Sequence, residues 1–449
     1  MNKLEELINE LCPEGVEYFT LEDITKAVNI GINPRKFFKL NPGDATGFYV
    51  TVRELNGLQG VVQTEKTDTI NDEAISIIQN RANIEIGDIL FSNTGTVGKM
   101  ALVIDTPTNW GVNEGIYVIK PNNKIVDSRY LYYYLASNLA YKQYSKKFTG
   151  STLKHVTQKA LMELRIPLPP LSIQSEIVHI LDSFTLLTAE LTSELTARQK
   201  QYAFYRDYLL DFSNEDVTKK IPDIDCSNVE YKRLRDISNI IRGGNFQKKD
   251  FIEQGKPCIH YGQIYTRLGT TTSKSITYLN DDVYSKSKKA MPNDIIMAVT
   301  SENIEDVCKC TVWVGNKDVA VSGHTAIIHP SINSKYLAYY FQTTMFFKQK
   351  RKLAHGTKVI EVTPDKLNDI IIPVPPLSVQ ENIVKILDRF DKLNNDMSEG
   401  LPAEIKVRKK QYEYYRDTLL SFDDKACSQI VKVERERERE RERERANTQ

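Results

Sequence analysis

Two stretches of the sequence combine basic side chains, hydroxyl groups and a glycine turn, which together can bind phosphate. Residues 128–162 contain six Lys or Arg residues and no Asp or Glu, and residues 319–360 show the same count. Each basic window includes a turn segment, KFTGSTLKH at 147–155 and KLAHGTKV at 352–359. Because phosphate oxygens accept hydrogen bonds from Lys, Arg, hydroxyl and backbone N–H groups, the two windows favour nucleic-acid binding over a solvated charged face. The candidate DNA-binding residues are Lys142, Lys146, Lys147, Gly150, Ser151, Thr152, Lys154, His155, Lys348, Lys350, Arg351, Lys352, Gly356, Thr357 and Lys358.

No catalytic or metal-binding pattern is found in the sequence. GTVGK at 95–99 is too short for a nucleotide-binding phosphate loop, and Met100 stands where that loop has a hydroxyl, so a tight hairpin is predicted there. The six histidines form no HExxH pair, the six cysteines show no zinc-type spacing, and no GxSxG motif occurs. We therefore expect no catalytic residues, no metal site, and cysteines that are free thiols.

The charge of the whole chain is close to neutral. Lys plus Arg total 60 and Asp plus Glu total 59 in 449 residues, so the formal net charge is +1. The two windows together carry +12, which leaves −11 for the remainder. This balance argues against a protein that coats nucleic acid without specificity, but it permits a local basic surface. Because no signal-peptide core occurs and no apolar run approaches ~20 residues, a soluble, cytoplasmic protein without membrane contact is predicted.

The chain is a tandem repeat of a unit of about 210 residues. IPLPPLSIQSEIVHILDSF at 166–184 aligns without a gap with IPVPPLSVQENIVKILDRF at 372–390. RQKQYAFYRDYLLDF at 198–212 matches RKKQYEYYRDTLLSF at 408–422. The second copy carries four extra residues near Gly400, Leu401 and Pro402, which should interrupt a helix. Segments 25–125 and 238–330 share much less, so two similar frames hold two different inserts.

Each frame ends in a heptad-like helical pattern, and the first predicts a helix of about 40 residues, roughly 60 Å long. The predicted coiled-coil seam consists of Ile173, Ile177, Ile180, Phe184 and Leu187 in the first copy and Val379, Ile383, Ile386, Phe390 and Leu393 in the second. One isolated helix of this kind would be expected to pack into a core. Two copies in one chain can also bury their seams on each other as an antiparallel pair, with the inserts at opposite ends. The tyrosines of QYAFYRD and QYEYYRD fit either this seam or the surface of a partner protein.

The inserts are predicted to have mixed α/β (α+β) structure. Strand patterns occur at 47–55, 88–93, 100–105, 294–300 and 310–315, and one helix is predicted in each half, at 128–144 and 334–350. The predicted domains are residues 1–165 with a short N-terminal helix, a helical spacer at 166–213, a second insert domain at 214–371, a second spacer at 372–422, and a disordered tail at 423–449 with six Glu-Arg pairs.

The order, the duplication and the divergent inserts make the sequence resemble the specificity (S) subunit of type I restriction–modification systems. The matching segments include CPEGVEY and GSTLKHVTQKAL in the first half and IPVPPLSVQENIVKILDRFDKL in the second, and the resemblance covers about residues 1–422. It implies two target recognition domains that each read half of a split DNA sequence, and two helices that form an antiparallel coiled coil and set the spacing. It also implies docking of two modification subunits, which bind S-adenosylmethionine and methylate adenine, and of restriction subunits that use ATP and Mg. The chain itself would bind no cofactor.

The resemblance also places the Gly150-Ser151-Thr152 turn, with Lys154 and His155, near the DNA. Gly356, Thr357 and Lys358 are its counterpart, although the second copy reads HGTKV. On this reading, neutralising Lys146, Lys147, Arg351 and Lys352 lowers DNA affinity across sequences. Two other readings stay open: a specificity subunit of a related system that cuts on both sides of its site, and a coiled-coil adaptor that does not bind DNA.

Overall fold

Apolar strands alternate with short helices in both halves of the chain. The computed structural model describes residues 3–106, 109–150, 153–213, 228–395 and 400–422. The chain forms two units, Met1–Ala189 with Val407–Gln449, and Glu190–Lys406. The tail predicted for 423–449 lies outside the described residues.

The first unit contains a four-stranded and a three-stranded sheet. Its strands are β1 (Tyr18–Thr20), β2 (Thr25–Ile30), β3 (Gly47–Val50), β4 (Thr69–Ile70), β5 (Ile89–Ser92), β6 (Met100–Leu102), β7 (Trp110–Val112), β8 (Ile116–Pro121) and β9 (Arg165–Pro167). Its helices are α1 (Lys3–Leu11), α2 (Leu21–Ile24), α3 (Asp72–Ala82), α4 (Ser128–Leu135), α5 (Asn138–Tyr144), α6 (Gln158–Met162) and the start of α7 (Leu171–Leu210). The sheet orders are β2-β8-β5-β6 and β4-β3-β7, and β1 pairs with β9.

The second unit repeats this arrangement with additional strands. Its strands are β10 (Glu230–Arg233), β11 (Ser238–Arg242), β12 (Lys256–Ile259), β13 (Thr271–Thr272), β14 (Thr277–Leu279), β15 (Lys289–Ala290), β16 (Ile295–Ala298), β17 (Thr300–Ser301), β18 (Cys310–Trp313), β19 (Val319–Val321), β20 (Thr325–Pro330), β21 (Ile360–Glu361) and β22 (Ile371–Val374). Its helices are α8 (Leu234–Ile237), α9 (Tyr261–Thr266), α10 (Asp281–Lys286), α11 (Ser334–Tyr340), α12 (Thr344–Leu353), α13 (Pro364–Leu367) and α14 (Leu377–Asn395), followed by α15 (Leu401–Ser421), which passes into the first unit.

The two inserts share one topology in spite of their different sequences. The order β11-β20-β16-β18 repeats β2-β8-β5-β6, and β14-β12-β19 repeats β4-β3-β7. The central strands of both inserts are buried along their length, so they need apolar residues but no particular sequence. The prediction of two different inserts concerned their residues, and these different residues build the same architecture.

The predicted mixed fold is confirmed, with one correction to its helices. All five predicted strand regions contain a strand. The single helices predicted at 128–144 and 334–350 are each two helices, because the hydroxyls of Ser137 and Thr343 cap a new helix by accepting hydrogen bonds from the N–H of Ala140 and Phe346.

The long helix predicted in the first copy is confirmed, since α7 has 40 residues. In the second copy α14 ends at Asn395 and α15 begins at Leu401, next to Gly400. Pro402 lies in the first turn of α15, where a missing N–H costs least.

The predicted seam residues lie on the buried side of these helices. Ile173, Ile177 and Phe184 belong to the first unit's core together with Leu419 of α15, and Val379 and Ile383 belong to the second unit's core. Ile180, Leu187, Ile386 and Phe390 are partly buried, and the side chain of Leu393 is not described. Leu181 and Leu387, which the heptad pattern missed, are fully buried, so the apolar face is wider than a two-helix seam.

Within each unit, α7 packs on a helix of the second copy. In the first unit the rings of Phe184 and Tyr415 are 5.1 Å apart, and in the second unit those of Tyr205 and Phe390 are 5.7 Å apart. Tyr412, one turn before Tyr415, lies near Thr185, which follows Phe184.

The repeated Pro-Pro-Leu-Ser-x-Gln motif fixes where each long helix begins. The amide of Gln174 donates to the carbonyl oxygens of Pro169 and Ile125, and its Oε1 accepts from the N–H of Asp127. Gln380 makes the matching bonds to Pro375 and Asn333. Both glutamines are buried, so this motif anchors the helices to their domains. No helix in the described residues is long and apolar enough to cross a membrane.

Candidate nucleic-acid interface

The first unit's glycine turn requires glycine at its apex. Gly150 has φ = +86°, and a Cβ atom there would lie 2.3 Å from the carbonyl oxygen of Leu153. Below it, the N–H of Thr149 donates to the carbonyl of His155 at 2.9 Å, and the N–H of His155 returns the bond at 3.0 Å. Ser151 and Thr152 lie outside the described residues. The turn is thus a short hairpin that presents Lys154 at its exposed end.

This turn packs beside the loop between β5 and β6, which sequence reasoning treated only as a hairpin. The N–H of Gly95 donates to the carbonyl of Lys154 at 2.9 Å, and Thr94 Oγ1 lies 2.9 Å from His155 Nδ1. The Tyr144 hydroxyl packs against Gly98, where a Cβ atom would approach it to 2.3 Å. The β5–β6 loop and the glycine turn therefore form one surface.

The predicted cations of the first unit lie on this turn and on the helical segment that precedes it. Lys142, Lys146 and Lys154 are exposed, and Lys154 Nζ lies 5.7 Å from the centre of the Phe148 ring. Lys147 is also exposed, but its Nζ is 2.6 Å from a carboxylate oxygen of Glu163, just outside the window. Its charge is already partly balanced.

The second unit builds the same turn at the aligned place. Gly356 has φ = +101°, and a Cβ atom there would lie 2.0 Å from the carbonyl oxygen of Val359. His355 and Glu361 exchange backbone hydrogen bonds at 3.0 and 2.9 Å, as Thr149 and His155 do. The side chains of Thr357 and Lys358 are exposed, as are those of Lys348, Arg351 and Lys352.

Lys350 requires a correction to the sequence prediction, because it is only 5% exposed. Its Nζ donates to the backbone carbonyls of Glu305 and Val307 at 2.9 and 2.6 Å. Burial lowers the pKa of this amine from its ordinary value. A lysine held in this way supports the protein's own backbone and cannot reach a phosphate.

Lys350 occupies the position of Tyr144 in the first unit, and both residues support the loop beside the glycine turn. Tyr144 packs against Gly98, and Lys350 binds the segment after β17, which pairs with β21 of the turn. The helical pattern alone could not separate Lys350 from its exposed neighbours. The clue in the sequence is the alignment of Lys350 with an aromatic residue.

Sequence reasoning also missed an arginine beside the second turn. Arg242, the last residue of β11, donates from Nη2 to Glu361 Oε1 at 3.0 Å and from Nε to the carbonyl of Gly323 at 3.1 Å. Glu361 is the first acid after the acid-free window, and it stands where the first unit has His155. The strand register places Arg242 where the first unit has Ile30.

The two units thus share a duplicated turn with exposed cations, built on a fold of two repeated insert domains and long helices. A family model described as type I restriction modification DNA specificity domain matches residues 13–198 and again residues 226–407. The chain therefore belongs to the specificity subunits of type I restriction–modification systems, and such subunits are not themselves catalytic.

Individual proteins agree with this assignment. The chain is 35% identical over 306 residues to the specificity subunit of the type I restriction enzyme EcoR124I/EcoR124II of Escherichia coli, covering 66% of this chain and 70% of that protein. It is 30% identical over 332 residues to a putative type I restriction enzyme specificity subunit of Haemophilus influenzae, covering 69% and 76%. A solved structure from a type I restriction–modification system superposes with a TM-score of 0.59 at 18% identity, over 91% of this chain and 98% of that one, which supports the fold.

Proposed function

We propose that this specificity subunit reads a bipartite DNA target, with one half-site for each unit, and docks modification and restriction subunits. The observation that carries the proposal is the duplicated surface. Each unit holds one positive-φ glycine turn flanked by exposed lysines at aligned positions. A protein that read one continuous site would not need two such surfaces.

The mechanism separates affinity from specificity. Exposed lysines and arginines hold phosphates, and because every sequence has phosphates, these contacts fix position without selecting a sequence. Side chains on the loops beside each turn would read base edges in the major groove, where each base pair shows its own donor and acceptor pattern. The β5–β6 loop in the first unit and Arg242 in the second adjoin the glycine turns, which makes them our candidates for such reading.

Docking of partners is supported by aromatic residues left exposed on the repeated helices. Phe204 of α7 and Tyr414 of α15 occupy aligned positions and are 64% and 57% exposed. Two equal aromatic patches suit two copies of one partner, as expected for modification subunits. In the proposed assembly S-adenosylmethionine belongs to the modification subunits, ATP and Mg belong to the restriction subunits, and this chain holds no cofactor.

The decisive experiment is genome-wide mapping of methylated adenines after co-expression of the chain with its modification subunit. We expect one motif made of two short specified blocks separated by a fixed unspecified spacer. Cells that express the modification subunit alone provide the control and should lack the motif. A continuous motif would contradict the two-reader proposal. A complex that binds DNA no more tightly than the modification subunit alone, with no steeper salt dependence, would favour the adaptor reading.

A further inference from the structure

We infer that Arg242, oriented by Glu361, reads a guanine in the half-site contacted by the second unit. The inference rests on the proposed bipartite reading and adds to it a residue, a base and a half-site. Arg242 ends β11 next to the glycine turn, because its partner Glu361 closes that turn by exchanging backbone hydrogen bonds with His355.

The guanidinium group of Arg242 is held in a fixed direction yet remains accessible. Its side chain is 51% exposed, and two acceptors from different segments, Glu361 Oε1 and the carbonyl of Gly323, hold Nη2 and Nε. A guanidinium group has five N–H donors. These two bonds leave three N–H groups, two on Nη1 and one on Nη2, for which the described part of the chain supplies no acceptor.

This environment favours a base over a phosphate as the ligand of Arg242. The Glu361 carboxylate balances part of the arginine charge and repels a nearby phosphate, whereas the cations at Arg351, Lys352 and Lys358 have no paired acid among the described residues. The guanine edge in the major groove is uncharged and presents two acceptors, O6 and N7, that match the planar donors of arginine. Fixing the donors before binding also reduces the entropy lost on contact.

The first unit has nothing equivalent at this place. Ile30 replaces Arg242 and His155 replaces Glu361, while the surrounding turn and strands are retained. The two half-sites should therefore differ at the position that Arg242 reads. Because the first unit forms the same strands and turn without an arginine here, the fold does not require Arg242. We therefore assign Arg242 to sequence specificity.

The test is methylated-adenine mapping with Arg242→Ala in the complex with the modification subunit. We expect one guanine position in one half-site to lose its preference by about 5- to 150-fold, with the other half-site and the spacer unchanged. Arg233→Ala is the matched control. Arg233 is also ion-paired, to Asp369 at 3.0 Å, and is 57% exposed, but it lies in the β10–β22 pair that leads into α14. Its variant should keep the full motif.

Glu361 acts here as a positioning residue, so its variants should alter the same base position as Arg242→Ala. We expect Glu361→Ala to relax that guanine, Glu361→Gln, which keeps an acceptor, to relax it less, and the double variant to match Arg242→Ala. If Arg242→Ala abolishes methylation, the motif of Arg242→Lys is mapped instead. Lysine keeps the charge but cannot present two planar donors, so we expect this variant to lose the guanine preference.

The outcomes separate the two proposals. A wild-type motif that is not bipartite removes the proposed function. A bipartite wild-type motif that keeps the same guanine preference in Arg242→Ala, or in Arg242→Lys where alanine is inactive, overturns the assignment of Arg242 alone.

Discussion

Lys348 and Lys350 show how far two neighbouring residues of one type can differ in role. Both lie on α12 in a basic window, yet Lys348 is exposed and Lys350 is buried against the carbonyls of Glu305 and Val307. The sequence could predict that this window is basic, because composition carries that information. It could not predict which lysine faces inward, since that depends on the loop that α12 packs against.

The two lysines give a matched pair of variants. We expect Lys348→Gln to lower the slope of log affinity against log salt by about 0.9, with no loss of stability, because one phosphate contact disappears. Lys350→Met should leave that slope unchanged and destabilise the second unit by about 1–3 kcal/mol, because two buried carbonyls lose their donor. DNA titrations at several salt concentrations and thermal unfolding measure both effects. Equal salt slopes for the two variants would contradict the assignment.

Cysteine reactivity tests the burial of the second unit's core. The four cysteines that the structure describes are free thiols, and burial raises the pKa of Cys308 and of Cys310 to about 12. Since the thiolate is the reactive form, its fraction at pH 8 would be on the order of 10⁻⁴. We expect iodoacetamide to label Cys12, which is partly exposed, well before Cys308 in the native protein, as read by mass spectrometry. Labelling of Cys308 should rise with pH and become complete on denaturation, and equal native rates would disprove its burial.

At the scale of elements, five of the strands, the 40-residue α7 and the break near Gly400 could be predicted. Each is a local consequence of periodicity, length or a helix-breaking residue. The shared topology of the inserts could not be predicted, because many apolar sequences satisfy the same buried strands. The split of the helix at 128–144 depended on one capping hydroxyl within an otherwise continuous helical pattern.

The glycine turn can be tested as an element. Gly150→Ala places a Cβ atom against the Leu153 carbonyl at positive φ, so we expect a cost of about 1–3 kcal/mol and loss of specificity in one half-site. Gly43→Ala is the control, since a Cβ atom there meets nothing within 4 Å. Thermal unfolding and motif mapping provide the two readouts. A Gly150→Ala complex with normal stability and an unchanged motif would show that the turn has no such role.

The length of α7 tests the proposed spacing role of the helices. Four residues inserted after Glu194 add about 6 Å of helix, roughly two base-pair steps. We expect the spacer of the methylated motif to change while both specified blocks stay the same. Glu194→Ala is the control, because it removes the 2.6 Å ion pair with Arg198 but keeps the length. A retained spacer in the insertion variant would refute the role.

For the whole molecule, fewer cations are available to DNA than the +12 charge of the two basic windows suggests. Arg129 and Lys335 pair with Asp182 and Asp388 of the long helices at 2.7 Å, Lys147 pairs with Glu163, and Lys350 is buried. Four exposed cations that form no ion pair in the described ranges remain in each window: Lys142, Lys146, Lys154 and Lys159, and Lys348, Arg351, Lys352 and Lys358.

Replacing those eight residues with glutamine should lower the slope of log DNA affinity against log salt by about 7, because each lost phosphate contact contributes about 0.9. Replacing either set of four should lower the slope by about half as much. Gln variants of Arg129 and Lys335 serve as the control and should leave the slope unchanged. Salt-dependent DNA titration measures all of them. The four paired or buried cations can then be replaced as well. If the salt slope falls by about 11 in that variant, those four residues also face DNA.

The division of the chain between its two units has a consequence for synthesis. The second unit is one continuous stretch, Glu190–Lys406, whereas the first also needs Tyr415, Leu419 and Leu420 of α15 in its core. Domains generally fold as their residues leave the ribosome, N-terminal ones first. Here the earlier-translated unit must wait for the last helix, so the second unit can finish folding before the first. A premature stop codon after the second unit would remove the part of α15 that the first unit needs. It would therefore destabilise the unit that was synthesised first.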